Sequence, residues 1–199
     1  MQIVLASASP RRQELLKNIF PNFIVHTSSC EENTVFENPS QYVMDLASQK
    51  AADVATHYFP AQTSDMCDEI LVIGADTIVY NNGIILGKPS DRDDAFRMLN
   101  AISGKSHEVY TGFSLVHIKG SHYQTYTSYA CTHVHVNQLS EQEIIDYIDG
   151  SENVYDKAGS YAIQGYFSRH ISGIEGDYFN VVGLPVNKIY EELKKYHLI

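Results

Sequence analysis

Three separated groups of residues have the types that phosphate and nucleotide chemistry needs. The first lies in Leu5-Ala6-Ser7-Ala8-Ser9-Pro10-Arg11-Arg12-Gln13-Glu14-Leu15-Leu16, where small residues, hydroxyls and two guanidinium groups meet at the start of a helix. Arginines in a first helical turn oppose the helix dipole, at a cost of roughly a few tenths of a kcal/mol unless an anion is nearby. With the free backbone N–H groups of that turn, Ser7, Arg11 and Arg12 form a plausible phosphate cradle; the plainer alternative is two solvated arginines beside a capped helix. The second group centres on Asp76, embedded in the apolar run Ile70–Tyr80. Burying an ionised carboxylate costs about several kcal/mol unless it is paired or binds a metal, so Asp76 needs a partner. Gly74 and Ala75 before it leave room for a ligand backbone to approach. Four further charged residues belong with it. Lys50 lies in line with the apolar stripe of a helix, and either snorkels outward or points its ammonium into a cleft. Lys88, between Gly87 and Pro89, returns near the level of Asp76 if the preceding hairpin closes tightly. Glu31 and Glu32 are either solvated or supply oxygens to Mg²⁺ or Mn²⁺, which bind through one or two carboxylates plus substrate phosphates. The third group is the single amide of Gln164. It either satisfies loop backbone groups or offers the donor and acceptor that match O4 and N3–H of uracil or thymine.

The elements that must position these residues follow from periodicity and caps. Gln2–Leu5 predicts a buried strand, and Ser9 as N-cap with Pro10 at the first helical position starts a helix carrying Leu15, Leu16 and Ile19. Phe23–His26 reads as a second short strand. Pro39 and Ser40 open a helix to about Tyr58, with Val43, Leu46, Ala47, Lys50 and Val54 at helical spacing. Pro60–Glu69 reads as a loop before the strand Ile70–Tyr80, whose unbroken apolar start predicts burial on both faces. Asn82-Gly83 signals a hairpin returning through Ile84–Leu86. Ser90 or Asp91 caps a helix bearing Ala95, Met98, Leu99 and Ile102, which Gly104 ends. Two long strands follow, Glu108–Ile118 and Tyr123–Val136; His133 and His135 share a face of the second but have no carboxylate or cysteine at ligand spacing, and read as ordinary strand positions. Ser140 and Glu143 form a capping box opening a helix to about Ile148. Asp156–Gly165 reads as a loop running into a short strand, and Pro185–Tyr196 as a terminal helix with Ile189, Leu193 and Tyr196 on its apolar side.

Composition narrows the classes. A chain of 199 residues that is 44% hydrophobic forms one domain or two small lobes around a sizeable core. Its three cysteines, Cys30, Cys67 and Cys131, are far apart and lack CxxC spacing, which argues against a disulfide framework or zinc site and for a reducing cytosol. The start has no basic n-region and no run of 18 apolar residues follows, so a soluble protein is expected. A net charge of −10 with only 14 scattered Lys and Arg argues against a duplex nucleic-acid surface, while a few focused cations still suit an anionic small molecule.

Six blocks, Leu5–Leu16, Gly74-Ala-Asp-Thr-Ile-Val79, Gly87-Lys-Pro89, Ser103-Gly-Lys-Ser-His-Glu-Val-Tyr-Thr-Gly112, Lys157-Ala-Gly-Ser-Tyr-Ala-Ile-Gln-Gly165 and Val181-Val-Gly-Leu-Pro185, closely resemble the Maf family and occur in family order over nearly the whole chain. The resemblance implies an α/β fold, with an elongated mixed central sheet flanked by helices, in a single domain over residues 1–199 whose two lobes enclose an active-site cleft, similar to the inosine triphosphate pyrophosphatases. It implies nucleoside triphosphate pyrophosphatase activity, releasing pyrophosphate and a nucleoside monophosphate, in a cytoplasmic protein of a family once named for septum formation and commonly homodimeric. By position, Ser7, Arg11 and Arg12 would hold the triphosphate, and Lys50 and Lys88 would neutralise charge developing on it. Glu32 and Asp76 would bind the divalent cation, Mg²⁺ or Mn²⁺, with Asp76 also the general base. Gln164 falls where the dTTP/UTP branch carries a glutamine, and its surroundings match that branch better than the 7-methyl-GTP one. Two other readings are a pyrophosphatase for modified nucleotides such as 7-methyl-GTP and a nucleotide-binding division regulator without turnover.

Overall fold

A computed structural model describes residues 1–58, 69–150 and 153–199. The loop expected at Pro60–Glu69 lies, Glu69 apart, outside the described residues. The elements in chain order are β1 (Gln2–Leu5), α1 (Pro10–Leu16), β2 (Ile24–Val25), α2 (Pro39–Tyr58), β3 (Glu69–Asn81), β4 (Ile84–Leu86), α3 (Arg92–Ile102), β5 (Ser106–Lys119), β6 (His122–Val136), α4 (Glu141–Ile148), β7 (Ile171–Glu175), α5 (Tyr178–Val182) and α6 (Val186–Lys195). The strands form one seven-stranded mixed sheet in the order β2-β1-β3-β5-β6-β7, with β4 paired to β3, and the fold is α/β. The chain divides into two compact units: residues 1–76, 111–130 and 183–199, and residues 77–110 and 131–182.

In the first unit β1 pairs in parallel with β2 (Val4 with Ile24) and with β3 (Gln2 with Ile70, Leu5 with Ile73). The run Ile70-Leu71-Val72-Ile73 is buried throughout, as a two-sided apolar strand requires. β2 is shorter than expected and both of its residues are exposed, so it gains little from burial to extend it. Helix α1 starts as its caps dictate: Ser9 Oγ accepts from Arg12 N–H and Pro10 stands at the first helical position. Two glycines set the path of α2. A Cβ on Gly74 would stand 2.5 Å from the Ala47 carbonyl oxygen, and one on Gly112 would stand 2.4 Å from that of Val43. Helix backbone therefore lies directly on the strands, and Val4, Ala51, Val54 and Val72 share the core beneath it.

In the second unit Asn82 and Gly83 both have positive φ, 49° and 85°, giving the tight hairpin that Asn-Gly predicts, with Val79 opposite Leu86. Asp91 caps α3 by accepting from Asp94 N–H at 2.8 Å. The capping box of α4 is complete, with Ser140 N–H donating to Glu143 Oε2 at 2.8 Å. His135 pairs with Glu175 Oε1 at 3.0 Å, a carboxylate brought by β7 from far along the chain. The short strand expected within residues 156–165 does not form. Gly159, Ser160 and Gly165 have φ of 67°, 64° and 77°, left-handed values that no strand adopts, and the chain makes 3-10 turns at Ala158–Ser160 and Gly165–His170 instead.

Candidate active site

The first wall of the site is the start of α1. Ser7 is buried, and Arg12 beside it is braced three ways: Nε donates to Gly183 C=O at 2.9 Å, and Nη1 donates to Ala75 C=O at 2.8 Å and to Ser7 Oγ at 3.3 Å. Arg12 is thus no solvated surface arginine. It ties the helix start to the peptide before Asp76 and to the Val181–Pro185 block. Burial pulls its pKa below the ordinary arginine value, and the charge of Asp76 opposes that shift. Arg11 is half-buried next to it.

Asp76, only 8% exposed, has the partner its burial demands. Lys50 Nζ donates to Asp76 Oδ1 at 2.6 Å, and the same ammonium lies 3.0 Å from Glu32 Oε1. Of the two paths open to Lys50, the inward one is taken, because the close seating of α2 on Gly74 lays this part of the helix over β3. Glu32 rather than Glu31 reaches the lysine, and α2 itself arranges this. Asp53 Oδ2 accepts from Ser28 Oγ and Ser29 N–H, both at 2.8 Å, and Gln49 Nε2 donates to Asn33 C=O at 2.6 Å. The segment bearing Glu32 is held along the helix from both sides. The Ser29 N–H bond, with that of Ser28, holds the Asp53 carboxyl below its usual range. Tyr42, two turns before Lys50, shares this environment: burial, then the charges of Asp76 and Glu32, push its phenol up. Sequence reasoning missed Gln49, Asp53 and Tyr42; the available signal was helical spacing, with Asp53 three residues after Lys50, Tyr42 eight before it, and Gln49 four before Asp53.

Two carboxylates flank the one ammonium, and of them Glu32 is the open one, its side chain 50% exposed. Hard oxygen donors so placed suit a divalent cation when substrate phosphates complete its shell. Among the described residues no group of three or more His, Cys, Asp or Glu is arranged as a metal site, so a cation here would have to rely on these two acids and its ligand.

The second unit carries the other two candidates. Lys88 is exposed in the turn after β4, whose pairing ends at Leu86 opposite Val79. Gln164 is exposed as well, and its side chain caps no helix turn. The backbone between them is fixed by a Gly159 N–H bond to Gly87 C=O at 2.9 Å. Lys157 is buried, its ammonium bonded to Asp156 Oδ1 at 2.7 Å and to Asn153 C=O. Among the described residues no helix is long and apolar enough to cross a membrane.

Residues 2–196 match the family described as Maf-like protein. Curated relatives named dTTP/UTP pyrophosphatase include one from Agathobacter rectalis, 49% identical over 199 residues, covering 98% of this chain and 97% of the relative. Another, from Thermoanaerobacter sp. (strain X514), is 48% identical over 195 residues, covering 98% of this chain and 96% of the relative. A third, from Clostridium perfringens, is 40% identical over 200 residues, covering 100% of this chain and 98% of the relative.

Proposed function

This chain belongs to the Maf family, and from that premise we propose that it is a nucleoside triphosphate pyrophosphatase hydrolysing dTTP and UTP to the nucleoside monophosphate and pyrophosphate. The observation that carries the reading is the Lys50 ammonium held between Asp76 and Glu32, in a chain whose relatives bear the name dTTP/UTP pyrophosphatase.

Ser7 and Arg11 bind phosphate oxygens at the start of α1, and Arg12, already braced, holds that turn in place while presenting charge to the same anion. Asp76 Oδ1 is committed to Lys50, and the other oxygen accepts the proton of the attacking water as its oxygen bonds to phosphorus. The bond between the α-phosphate and the bridging oxygen breaks, and its electron pair leaves with pyrophosphate. Charge spreading onto phosphate oxygens is met by Lys50 and Lys88; one well-placed donor or cation in such a role is worth about 3–4 kcal/mol of barrier. Glu32 and Asp76 would hold Mg²⁺ or Mn²⁺, which when bound neutralises phosphate charge and orients the triphosphate. Gln164 reads the pyrimidine edge through its amide donor and acceptor. We place the enzyme in the cytoplasm as a homodimer, which light scattering of the purified protein tests.

The deciding experiment is pyrophosphate release from dTTP, UTP, CTP, GTP, ITP and 7-methyl-GTP with Mg²⁺ or Mn²⁺. Preference for dTTP and UTP is expected. Preference for 7-methyl-GTP, or binding without release, overturns the reading.

A further inference from the structure

Gly159 joins two of the blocks that carry the family resemblance. Its N–H donates to Gly87 C=O at 2.9 Å, next to Lys88, and it stands five residues before Gln164. No side chain fits there. Its φ is +67°, and an added Cβ would lie 2.7 Å from Val79 Cγ2 and 3.0 Å from Val79 Cβ. Val79 has no room to yield, being 2% exposed and paired with Leu86 at the base of the turn that carries Lys88.

The arm from Gly159 to Gln164 is equally constrained. Ser160 N–H bonds Lys157 C=O at 3.1 Å, Tyr161 OH meets His107 Nε2 at 2.7 Å, and Ala162 N–H bonds Tyr147 OH at 3.3 Å. Ile163 is buried, and exposure resumes only at Gln164. The turn and the arm therefore behave as one piece hinged on nothing softer than Val79 and Gly159.

We propose that Gly159 is a positioning residue that fixes the span between Lys88 and the Gln164 amide, so that base recognition and phosphate placement are set together. The proposal rests on the reading in which Lys88 meets the phosphates and Gln164 meets the base. A rigid span has a kinetic signature: a nucleotide whose base does not engage Gln164 is also misplaced at its phosphates, so discrimination falls on kcat as well as KM.

The test compares wild type, Gly159→Ala and Gly159→Ala with Val79→Ala, measuring kcat and KM for UTP and CTP alongside thermal melting. In Gly159→Ala, kcat for UTP falls by about tenfold or more and the UTP/CTP ratio of kcat moves toward one. Adding Val79→Ala opens space for the new methyl and restores part of both. A folded Gly159→Ala with a lower melting temperature but unchanged kcat and ratio overturns the proposal. If Gly159→Ala does not fold, Val79→Ala alone loosens the same contact without adding atoms and leaves glycine in place, and an unchanged kcat ratio again overturns it. Failure of the underlying reading looks different: Lys88→Ala and Gln164→Ala would then each leave kcat/KM for UTP intact, which removes the premise.

Discussion

Lys50 Nζ stands 2.6 Å from Asp76 Oδ1, with both side chains largely buried, so each charge is the other's principal compensation. Losing one partner of such a pair costs about 3–5 kcal/mol when the other stays charged and buried. Lys50→Ala is expected to lower the melting temperature and abolish pyrophosphate release. Asp76→Asn keeps a hydrogen-bonding side chain of the same shape and leaves Lys50 its contact with Glu32, so it folds but loses turnover. Turnover of UTP by Asp76→Asn at the wild-type rate would remove Asp76 as the base.

Neighbouring Glu31 and Glu32 separate cleanly by geometry, since only Glu32 meets Lys50. Glu32→Gln should raise the Mg²⁺ or Mn²⁺ concentration needed for half-maximal rate and lower kcat, whereas Glu31→Gln should match wild type. Titrating each variant with metal checks this. Equal effects from the two substitutions would mean that the segment from Ser28 to Asn33 is not held against α2 in solution as its bonds to Asp53 and Gln49 require.

Gly74→Ala introduces a methyl 2.5 Å from Ala47 O and 2.8 Å from Ala51 N, both backbone atoms of α2. A helix cannot yield like a side-chain tip, so α2 must lift, at about 1–3 kcal/mol for overpacking. Because Lys50 rides on that helix, activity falls together with stability. Thermal melting and kcat measured on one preparation test the coupling; a destabilised variant with full kcat would show that Lys50 does not depend on the seating of α2.

Much of this arrangement is legible in the chain itself, because caps and periodicity are local. Ser9 with Pro10, the Ser140–Glu143 box and Asn82-Gly83 each form as their residue types require. What is not legible is set by distance along the chain. Arg12 reads equally well as a solvated arginine or a phosphate ligand, since the Gly183 carbonyl that braces it lies 171 residues away. Similarly, the inward turn of Lys50 depends on Gly74: a glycine within a strand marks a close approach, but only the fold shows that the backbone of α2, not a ligand, fills that space. The strand misread within residues 156–165 has another cause. Buried Tyr161 and Ile163 alternate as a strand would, but the left-handed backbone at Gly159 and Ser160 decides the outcome.

Stability should depend on pH through His107. Burial lowers its pKa from 6.5 to about 4, its Nε2 is bonded to Tyr161 and its Nδ1 is buried without a partner. Between those values the unfolded chain binds the proton and the folded one does not, so stability falls as pH drops from 6.5 toward 4. The full effect is on the order of 3 kcal/mol. Urea unfolding at several pH values measures the slope, and His107→Gln, which cannot charge, should flatten this part of it. An unchanged slope would assign the acid sensitivity to other groups.

Arg12 and Gln164 should fail in different ways. Arg12→Ala removes a guanidinium that binds Gly183 and Ala75 carbonyls, so the variant loses stability and turns over every triphosphate more slowly, by similar factors. Arg12→Lys keeps the charge but not the fork, and one ammonium cannot reproduce the three bonds, so it recovers little. Gln164→Ala has no such structural cost, since the side chain is exposed. Its effect is confined to the base: losing a buried donor and acceptor on binding is worth about 1–3 kcal/mol, or roughly ten- to a hundredfold in kcat/KM for UTP, with GTP and ITP little changed. Parallel kcat/KM values for UTP, CTP, GTP and ITP separate the two patterns, and a uniform loss in Gln164→Ala would move that residue from base recognition to general support of the site.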